Sequence, residues 1–356
     1  MPIETPDLLV VGLGPAGSRA AAAAAGAGLA VVAVERRPVA GSPVQCAELV
    51  PGLLAQEVDA LATVTGQHIG RMLTFVEEDP ADETPDFLGR MIDRAAFDRR
   101  LAAVAAAAGA SCRYGTAIRD IAPDGTVEAS DGSRWRPRLV IGADGPRSVV
   151  GAAAGRRNRD FVETRQLTVP LRGRHDATDI HLRADYPGGY AWLFPKGARA
   201  NLGIGLAATA RARLKPLLDD LHWRLVAQHR VGAAVLAVTG GAIPVGGRLG
   251  AVAAIGRVPV LLAGDAAGLA NPVTGAGIAA AVLSGSLAGA AAARWIGGEP
   301  GALAAYEEEL ADLFDVALAR ALRRRCALLA RHGAECRPDR AALRAGRIAY
   351  PDYWAA

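Results

Sequence analysis

Three glycines near the start of the chain, Gly12, Gly14 and Gly17, stand in the spacing G-x-G-x-x-G, with Pro15 and Ala16 completing the turn. In that spacing the first glycine permits a tight turn, the second lets a pyrophosphate approach the backbone, and the third lets helix and strand pack closely. A helix beginning there presents free N–H groups and partial positive charge to phosphate oxygens. Glu35 follows 18 residues after Gly17, where a carboxylate accepts both hydroxyls of a ribose. An acidic rather than basic side chain argues against a 2′-phosphate, so FAD or NAD fits better than NADP. Two further groups have chemical potential. Tyr190, Trp192 and Phe194 alternate in Pro187-Gly188-Gly189-Tyr190-Ala191-Trp192-Leu193-Phe194-Pro195, which puts three aromatic rings on one face of a strand. They read either as a core stripe or as the wall of a cavity for a large apolar molecule. Cys46, in Pro43-Val44-Gln45-Cys46-Ala47-Glu48, stands in a loop after the second strand and by itself reads as a buried, inert thiol.

The elements that must position these residues are legible in outline. Residues 7–11 form a short apolar strand before the glycine turn, an Ala-rich helix runs to Gly28, and 29–34 make a second strand ending at Glu35, which closes a βαβ unit. Asp93-Arg94 opens a helical pattern over 95–108. A buried strand at 139–141 leads into Asp144-Gly145, and Ser130-Asp131-Gly132-Ser133 signals a hairpin before it. From 155 to 250 the chain changes to shorter alternating strands. At 259–263 a buried strand returns, Gly264-Asp265 stands at its end, and long helical patterns follow at 278–295 and 303–330. An apolar run at 53–61 follows the Cys46 loop.

Composition narrows the class. The 356 residues carry 40 basic and 36 acidic side chains, a net charge of +4 that is too small to argue for nucleic acid. With 51% hydrophobic residues the chain can bury a substantial core. Asp265, Asn271, Pro272 and repeated Gly interrupt the most apolar stretch, so it reads as strand, turn and buried helix rather than a bilayer span. The first residues, with Glu4 and Asp7 and no basic run, do not read as a secretory signal. Cys46, Cys112, Cys326 and Cys336 lack C-x-x-C spacing, which fits a reducing cytoplasm and no metal site. Six histidines show no ligand spacing, and the basic run between Arg320 and Arg331 reads as a solvated helix face. A second reading makes that run a peripheral membrane contact, with Leu318, Leu322, Leu328 and Leu329 supplying the apolar side.

Taken together, Gly12-x-Gly14-Pro15-Ala16-Gly17, Asp144-Gly145 and Gly264-Asp265-Ala266-Ala267 resemble the glutathione-reductase-type FAD fold of flavoprotein monooxygenases and geranylgeranyl reductases. The aromatic segment fits P-x-x-Y-x-W-x-F-P with Gly203 eight residues on, which resembles the substrate-domain signature of the geranylgeranyl reductase family. The resemblance implies an α/β fold: an FAD-binding domain from 1–75, 90–155 and 255–300, a β-rich substrate domain from 76–89 and 156–254, and a helical C-terminal segment at 301–356. It implies that Asp265 meets the ribityl chain of FAD and that Gly275-Ala276-Gly277-Ile278, after Pro272-Val273-Thr274, start a helix facing the flavin. Glu35 and Arg36, Arg94, Asp144 and Gly264 are further candidate cofactor contacts. Cys46 falls where the reductases often carry Cys-Gly-Glu, which implies a catalytic thiol that donates a proton to the carbon opposite hydride attack or interacts with the oxidised flavin; here Ala47 replaces the glycine, and Glu48 either orients substrate or caps a following turn.

The implied activity is hydride transfer from reduced FAD to a C=C bond of a prenyl-type or other large apolar substrate, with NAD(P)H or ferredoxin as electron donor. The alternative on the same scaffold is an FAD-dependent monooxygenase that hydroxylates an aromatic ring, including one on a protein or peptide.

Overall fold

The computed structural model describes residues 2–51, 61–332 and 337–355; most of the apolar run at 53–61, and Cys336, lie outside them. Four consecutive β-branched or leucine residues, Leu8–Val11, form the first buried strand, and Val31–Glu35 lies parallel beside it. Both are interior strands of a six-stranded sheet in the order Val252–Ile255, Val258–Leu262, Leu139–Gly142, Leu8–Val11, Val31–Glu35, Ser111–Tyr114. All pairings are parallel except that of the Val252–Ile255 edge. Their near-continuous apolar runs are what a sheet covered on both faces requires.

Helix Pro15–Gly26 starts directly after the first strand, and its small residues let it pack against helix Ile278–Ile296. The approach is backbone on backbone. A Cβ on Gly285 would lie 2.1 Å from the carbonyl oxygen of Ala16, and one on Gly289 would lie 2.3 Å from that of Ala20. Helix Ile278–Ile296 is long and apolar enough by composition to cross a bilayer. Here Ala281, Val282, Ser284, Gly285, Ala288, Gly289, Ala291 and Ala292 are buried within the protein instead.

The second large layer is a seven-stranded sheet ordered Ala237–Pro244, Phe161–Pro170, Arg199–Ala207, Tyr190–Lys196, Ala177–Leu182, Arg71–Val76, Asp82–Thr84. Ala191, Leu193, Leu202 and Ile204 point to a face covered by Leu214, Leu218, Leu221 and Leu225 of helix Leu214–Ala227. Alternation sends Tyr190, Trp192 and Phe194 to the opposite face. The expected boundary between 75 and 76 falls inside strand Arg71–Val76, which pairs along its whole length with Ala177–Leu182. A one-residue loop separates it from Thr65–Ile69 of a small three-stranded sheet, so the chain changes sheets at Gly70. A four-stranded sheet of Ile3–Glu4, Arg134–Trp135, Val127–Ala129 and Ile118–Ile121 completes the strands. The 29-residue helix Ala302–Ala330 and two short helices, Arg340–Ala345 and Pro351–Trp354, follow. The architecture is thus mixed-sheet α/β with a helical C-terminal region.

Alanine is the better helix former than glycine by about 1 kcal/mol, yet the Ala16 carbonyl is fixed backbone and cannot turn away from a new methyl, and overpacking of this kind costs about 1–3 kcal/mol. Gly285→Ala is therefore expected to lower the denaturant midpoint despite its propensity. Gly14→Ala, whose Cβ meets nothing within 4 Å, is expected to leave it unchanged. Urea titrations of both variants check the pair.

Candidate functional site

A cavity of about 970 Å³ runs between the two large sheets. Its walls include Gly12, Gly14, Pro15, Ala16, Glu35, Arg36, Cys46, Arg94, Asp144, Asp265, Gly275, Ala276, Gly277, Ile278, Tyr190, Trp192 and Phe194. The structure brings these candidates, drawn from more than 260 residues of chain, to one cleft. Gly17 and Gly264 are absent from its walls. Gly17 is a packing residue, since a Cβ there would lie 1.7 Å from the carbonyl oxygen of Gly12. Gly264 adopts φ +59° and donates its N–H to Ser284 Oγ at 3.0 Å behind the wall.

At the first end, Gly12 takes φ +96° with the Ala143 carbonyl oxygen 2.4 Å from where a Cβ would be, so only glycine makes this turn. Gly14 is different: neither its φ of −73° nor any protein atom demands a glycine. The space a side chain would fill there belongs to the cavity. Helix Pro15–Gly26 begins at this point with no side-chain cap and no acidic residue in its first turn, leaving the N–H groups that an anion needs. Glu35 Oε2 accepts from Leu13 N–H and Oε1 from Arg37 N–H, both at 3.0 Å, which aims the carboxylate along the turn. Arg36 is exposed at the rim. Asp144 lines the wall, but its oxygens accept from Ser148 Oγ at 2.5 Å and Val149 N–H at 2.6 Å, so its carboxylate caps the short helix Val149–Ala153.

The middle of the cleft is built by Asp265 and the loop after it. Burial pushes the Asp265 carboxyl up to about 6, with Arg94 pulling in the other direction. Among the described residues no hydrogen bond reaches that carboxylate; the main-chain oxygen of Asp265 accepts from Asn158 Nδ2 at 2.8 Å and from Gly268 N–H at 3.1 Å. Asn271 shapes the loop, its Oδ1 accepting from Val273 and Thr274 N–H at 2.9 and 3.0 Å. The Asn-Pro step at 271–272 is the sequence signal for that turn. Helix Ile278–Ile296 then starts from Gly277, again without a side-chain cap. An unpartnered carboxyl, two uncapped helix starts and a side-chain-free cradle at Gly14 are a donor and acceptor set that fits a flavin dinucleotide.

The far wall is aromatic. Trp192 and Phe194 are 6% and 5% exposed, with ring centroids 6.0 Å apart, and Tyr190 stands 5.8 Å from Trp192. Gly203 lies opposite Trp192 on the neighbouring strand, and a Cβ there would come within 2.3 Å of the indole. Trp192 Nε1 donates to Gln166 Oε1 at 3.1 Å, while Gln166 Nε2 donates to the Cys46 carbonyl at 3.2 Å. Tyr190 Oη donates to the Thr274 carbonyl at 2.5 Å. The aromatic wall is both core and cavity lining, held to the Cys46 loop by Gln166 and to the Asp265 loop by Tyr190.

Cys46 Sγ lines the cleft and accepts from Glu48 N–H at 3.2 Å. Although burial opposes the charge of Arg94, the Asp98 carboxylate and the Cys46 sulfur hold its guanidinium above the usual range. Arg94 Nε and Nη2 reach Asp98 at 2.6 and 3.2 Å, so it is a paired interior side chain at a helix start. The left-handed backbone (φ +67°) falls at Glu48, not at Ala47. Glu48 caps no following turn; it accepts from the main-chain N–H of Arg94 at 3.0 Å, from Lys196 Nζ at 2.8 and 2.9 Å, and from Asn201 Nδ2 at 3.0 Å. These partners come from distant segments, so spacing along the chain does not reveal them.

The C-terminal helix also departs from a solvated face. Leu318 and Leu328 are buried, Arg325 is buried, and Arg324 Nε donates to the Tyr353 carbonyl at 3.1 Å. Phe314, Leu318, Arg325 and Arg347 line the cleft.

Removal of the Glu48 side chain leaves three donors without their acceptor. Because Lys196 is one-third exposed and can rehydrate, Glu48→Ala is expected to cost about 2–3 kcal/mol, less than a fully buried pair. Chemical denaturation measures it, and a loss below about 0.5 kcal/mol would contradict the bridging role.

A family model described as the geranylgeranyl reductase catalytic domain matches residues 163–243. The chain is 33% identical to the digeranylgeranylglycerophospholipid reductase of Methanosarcina acetivorans over 316 residues, covering 80% of this chain and 74% of that protein. With the enzyme of the same name from Thermoplasma volcanium it shares 34% over 354 residues, 88% of this chain and 85% of the other. Among solved structures, a geranylgeranyl bacteriochlorophyll reductase-like protein from Thermoplasma acidophilum superposes with a TM-score of 0.81 at 27% identity, covering 99% and 98% of the two chains. PqsL of Pseudomonas aeruginosa, a probable FAD-dependent monooxygenase, shares the fold with a TM-score of 0.71 at 19% identity, over 96% and 98% of the chains. On its sequence likeness and on the cleft that unites glycine turn, Asp265 loop and aromatic wall, the chain belongs to the geranylgeranyl reductase family of flavin-dependent oxidoreductases.

Proposed function

We propose that this enzyme saturates C=C bonds of a prenyl-type lipid with FAD as its flavin. One observation carries the reading: a single cleft joins the residues suited to a dinucleotide to an apolar aromatic wall, with a thiol beside it. The relatives named as lipid reductases support the substrate class.

In this reading the uncapped starts of helices Pro15–Gly26 and Ile278–Ile296 hold the pyrophosphate and the ring, Glu35 takes the ribose and Asp265 the ribityl chain. Bound there, reduced FAD would supply the hydride for one carbon of the double bond. The other carbon takes a proton, and Cys46 Sγ, hydrogen-bonded by Glu48 N–H, is the donor; water then returns a proton to the sulfur. Trp192 and Phe194 exclude water and orient the chain of the substrate. Electrons arrive from NAD(P)H or ferredoxin.

Incubation of the reduced enzyme with geranylgeranyl lipids without oxygen is expected to give products richer by two hydrogens per double bond, read by mass spectrometry. Product that forms only in oxygen, and carries an added oxygen atom, would assign the monooxygenase chemistry instead.

Asp265 gives a second check. Its folded pKa lies above the usual carboxylate value, so folding of the flavin-free protein favours the protonated acid, and that contribution is lost as pH rises through about 6. Flavin-free Asp265→Asn is therefore expected to melt above wild type at pH 7.5, the gap closing below pH about 4, and to gain less than wild type from added FAD. Equal gains from FAD in both proteins would remove Asp265 from the cofactor site.

A further inference from the structure

At the end of the cleft away from the glycine turn, the C-terminal segment contributes two arginines that face the cavity without a carboxylate. Arg325, on helix Ala302–Ala330, is 8% exposed and donates through Nη1 to the Gly188 carbonyl. Arg347, just beyond helix Arg340–Ala345, donates through Nη2 to the Gly189 carbonyl and through Nη1 to the Val273 carbonyl at 3.1 Å. Its guanidinium lies 5.0 Å over the ring of Tyr190, and its Nε is buried with no partner. Both side chains line the cavity.

Three arginines that follow the long helix are paired with carboxylates, whereas exposed Arg323 and Arg331 face water and Arg324 reaches the Tyr353 carbonyl outside the cleft. Arg340 and Arg344 pair with Asp79 at 2.9 and 3.1 Å, Arg344 also with Asp82 at 2.7 Å, and Arg337 pairs with Asp185. Arg325 and Arg347 have carbonyl partners only, and among the described residues neither makes an ion pair; the acid acting on Arg325 is Asp160, from beyond ion-pair distance. They also repel each other. Burial, with that repulsion, lowers Arg347 to about 10, and burial holds Arg325 below its usual range as well. Two like charges taken out of water without a counter-ion are unfavourable, and an anion seated between them reverses the balance. Guanidinium forks arriving from two separate elements suit an oxyanion with several oxygens on different sides, which is the form of a phosphoryl group.

We propose that Arg325 and Arg347 form an oxyanion site that receives the phosphoryl head of the substrate, while its prenyl chain lies along Tyr190 and Trp192. This rests on the reductase reading above and adds to it which side chains of this chain hold the polar end of the substrate. The site also gives the C-terminal segment a part in recognition, since both ligands come from it.

The test is equilibrium binding to the flavin-loaded, full-length protein, followed by tryptophan fluorescence. Geranylgeranyl phosphate is expected to bind about tenfold or more tighter than geranylgeraniol. Inorganic phosphate is expected to weaken binding of the phosphate ester and not of the alcohol; competition at the same strength as the ester would assign the site to free phosphate and overturn the head-group proposal. In Arg325→Gln and Arg347→Gln the preference for the ester is expected to collapse while the alcohol binds as before. Because the ratio is read within each variant, a general loss of stability does not imitate the result. Equal affinity of wild type for ester and alcohol, or an unchanged ratio in both variants, overturns the oxyanion site and leaves the reductase reading standing. Binding of neither prenyl ligand overturns both.

Discussion

Backbone contact between the helices that start at the cleft is the constraint on which the rest of the structure depends. Gly17 against the Gly12 carbonyl, Gly12 against Ala143, and Gly285 against the Ala16 carbonyl leave no room for a methyl group. Only with those contacts do helices Pro15–Gly26 and Ile278–Ile296 cross closely enough for both N-termini to open into one cavity. The alanine content has the same cause. Larger side chains on either helix would separate the axes and move the two sets of free N–H groups apart.

The other half of the cleft is tied on by polar groups rather than by apolar area. Glu48 gathers donors from the start of helix Arg94–Ala107 and from strands Tyr190–Lys196 and Arg199–Ala207. Gln166 joins the Trp192 indole to the Cys46 carbonyl, and Tyr190 reaches the Thr274 carbonyl. Such bonds are directional, so they set where the aromatic wall stands relative to the Asp265 loop; a greasy interface of the same size would tolerate sliding. Cys46 and Glu48 therefore belong to one piece of geometry: the loop that carries the thiol is the loop that locks the sheets.

The third contribution comes from the C-terminal segment, which is no appendage. Its long helix buries Tyr306, Leu310 and Leu318 against the six-stranded sheet and then carries Arg325 into the cavity. The family likeness over most of the chain and the close structural match to a reductase-like protein agree with a cleft walled by all three parts.

Much of this was legible before any coordinates. The G-x-G-x-x-G turn, the strand ending at Glu35, Gly264-Asp265 and the alternating Tyr190, Trp192 and Phe194 are local patterns, and local patterns follow from dihedral preference and periodicity. The individual roles were less legible. Asp144, a candidate cofactor contact in sequence, lines the cleft while its carboxylate also accepts from Ser148 Oγ and Val149 N–H at the start of the next helix. Gly17 packs against the Gly12 carbonyl, the role its place in the motif gives it, whereas Gly264, a candidate cofactor contact, stands behind the cleft wall with its N–H on Ser284 Oγ. Arg325 reads as one of a solvated basic run and is buried. The amino-acid sequence by itself determined the elements, the dinucleotide-type turn and the aromatic strand, because each is encoded within a few neighbouring residues. Only the tertiary structure decided which arginines lack a counter-ion and what Glu48 bridges, because the partners of Glu48 stand 46 to 153 residues away and because burial, with the exclusion of water it brings, follows from distant segments meeting.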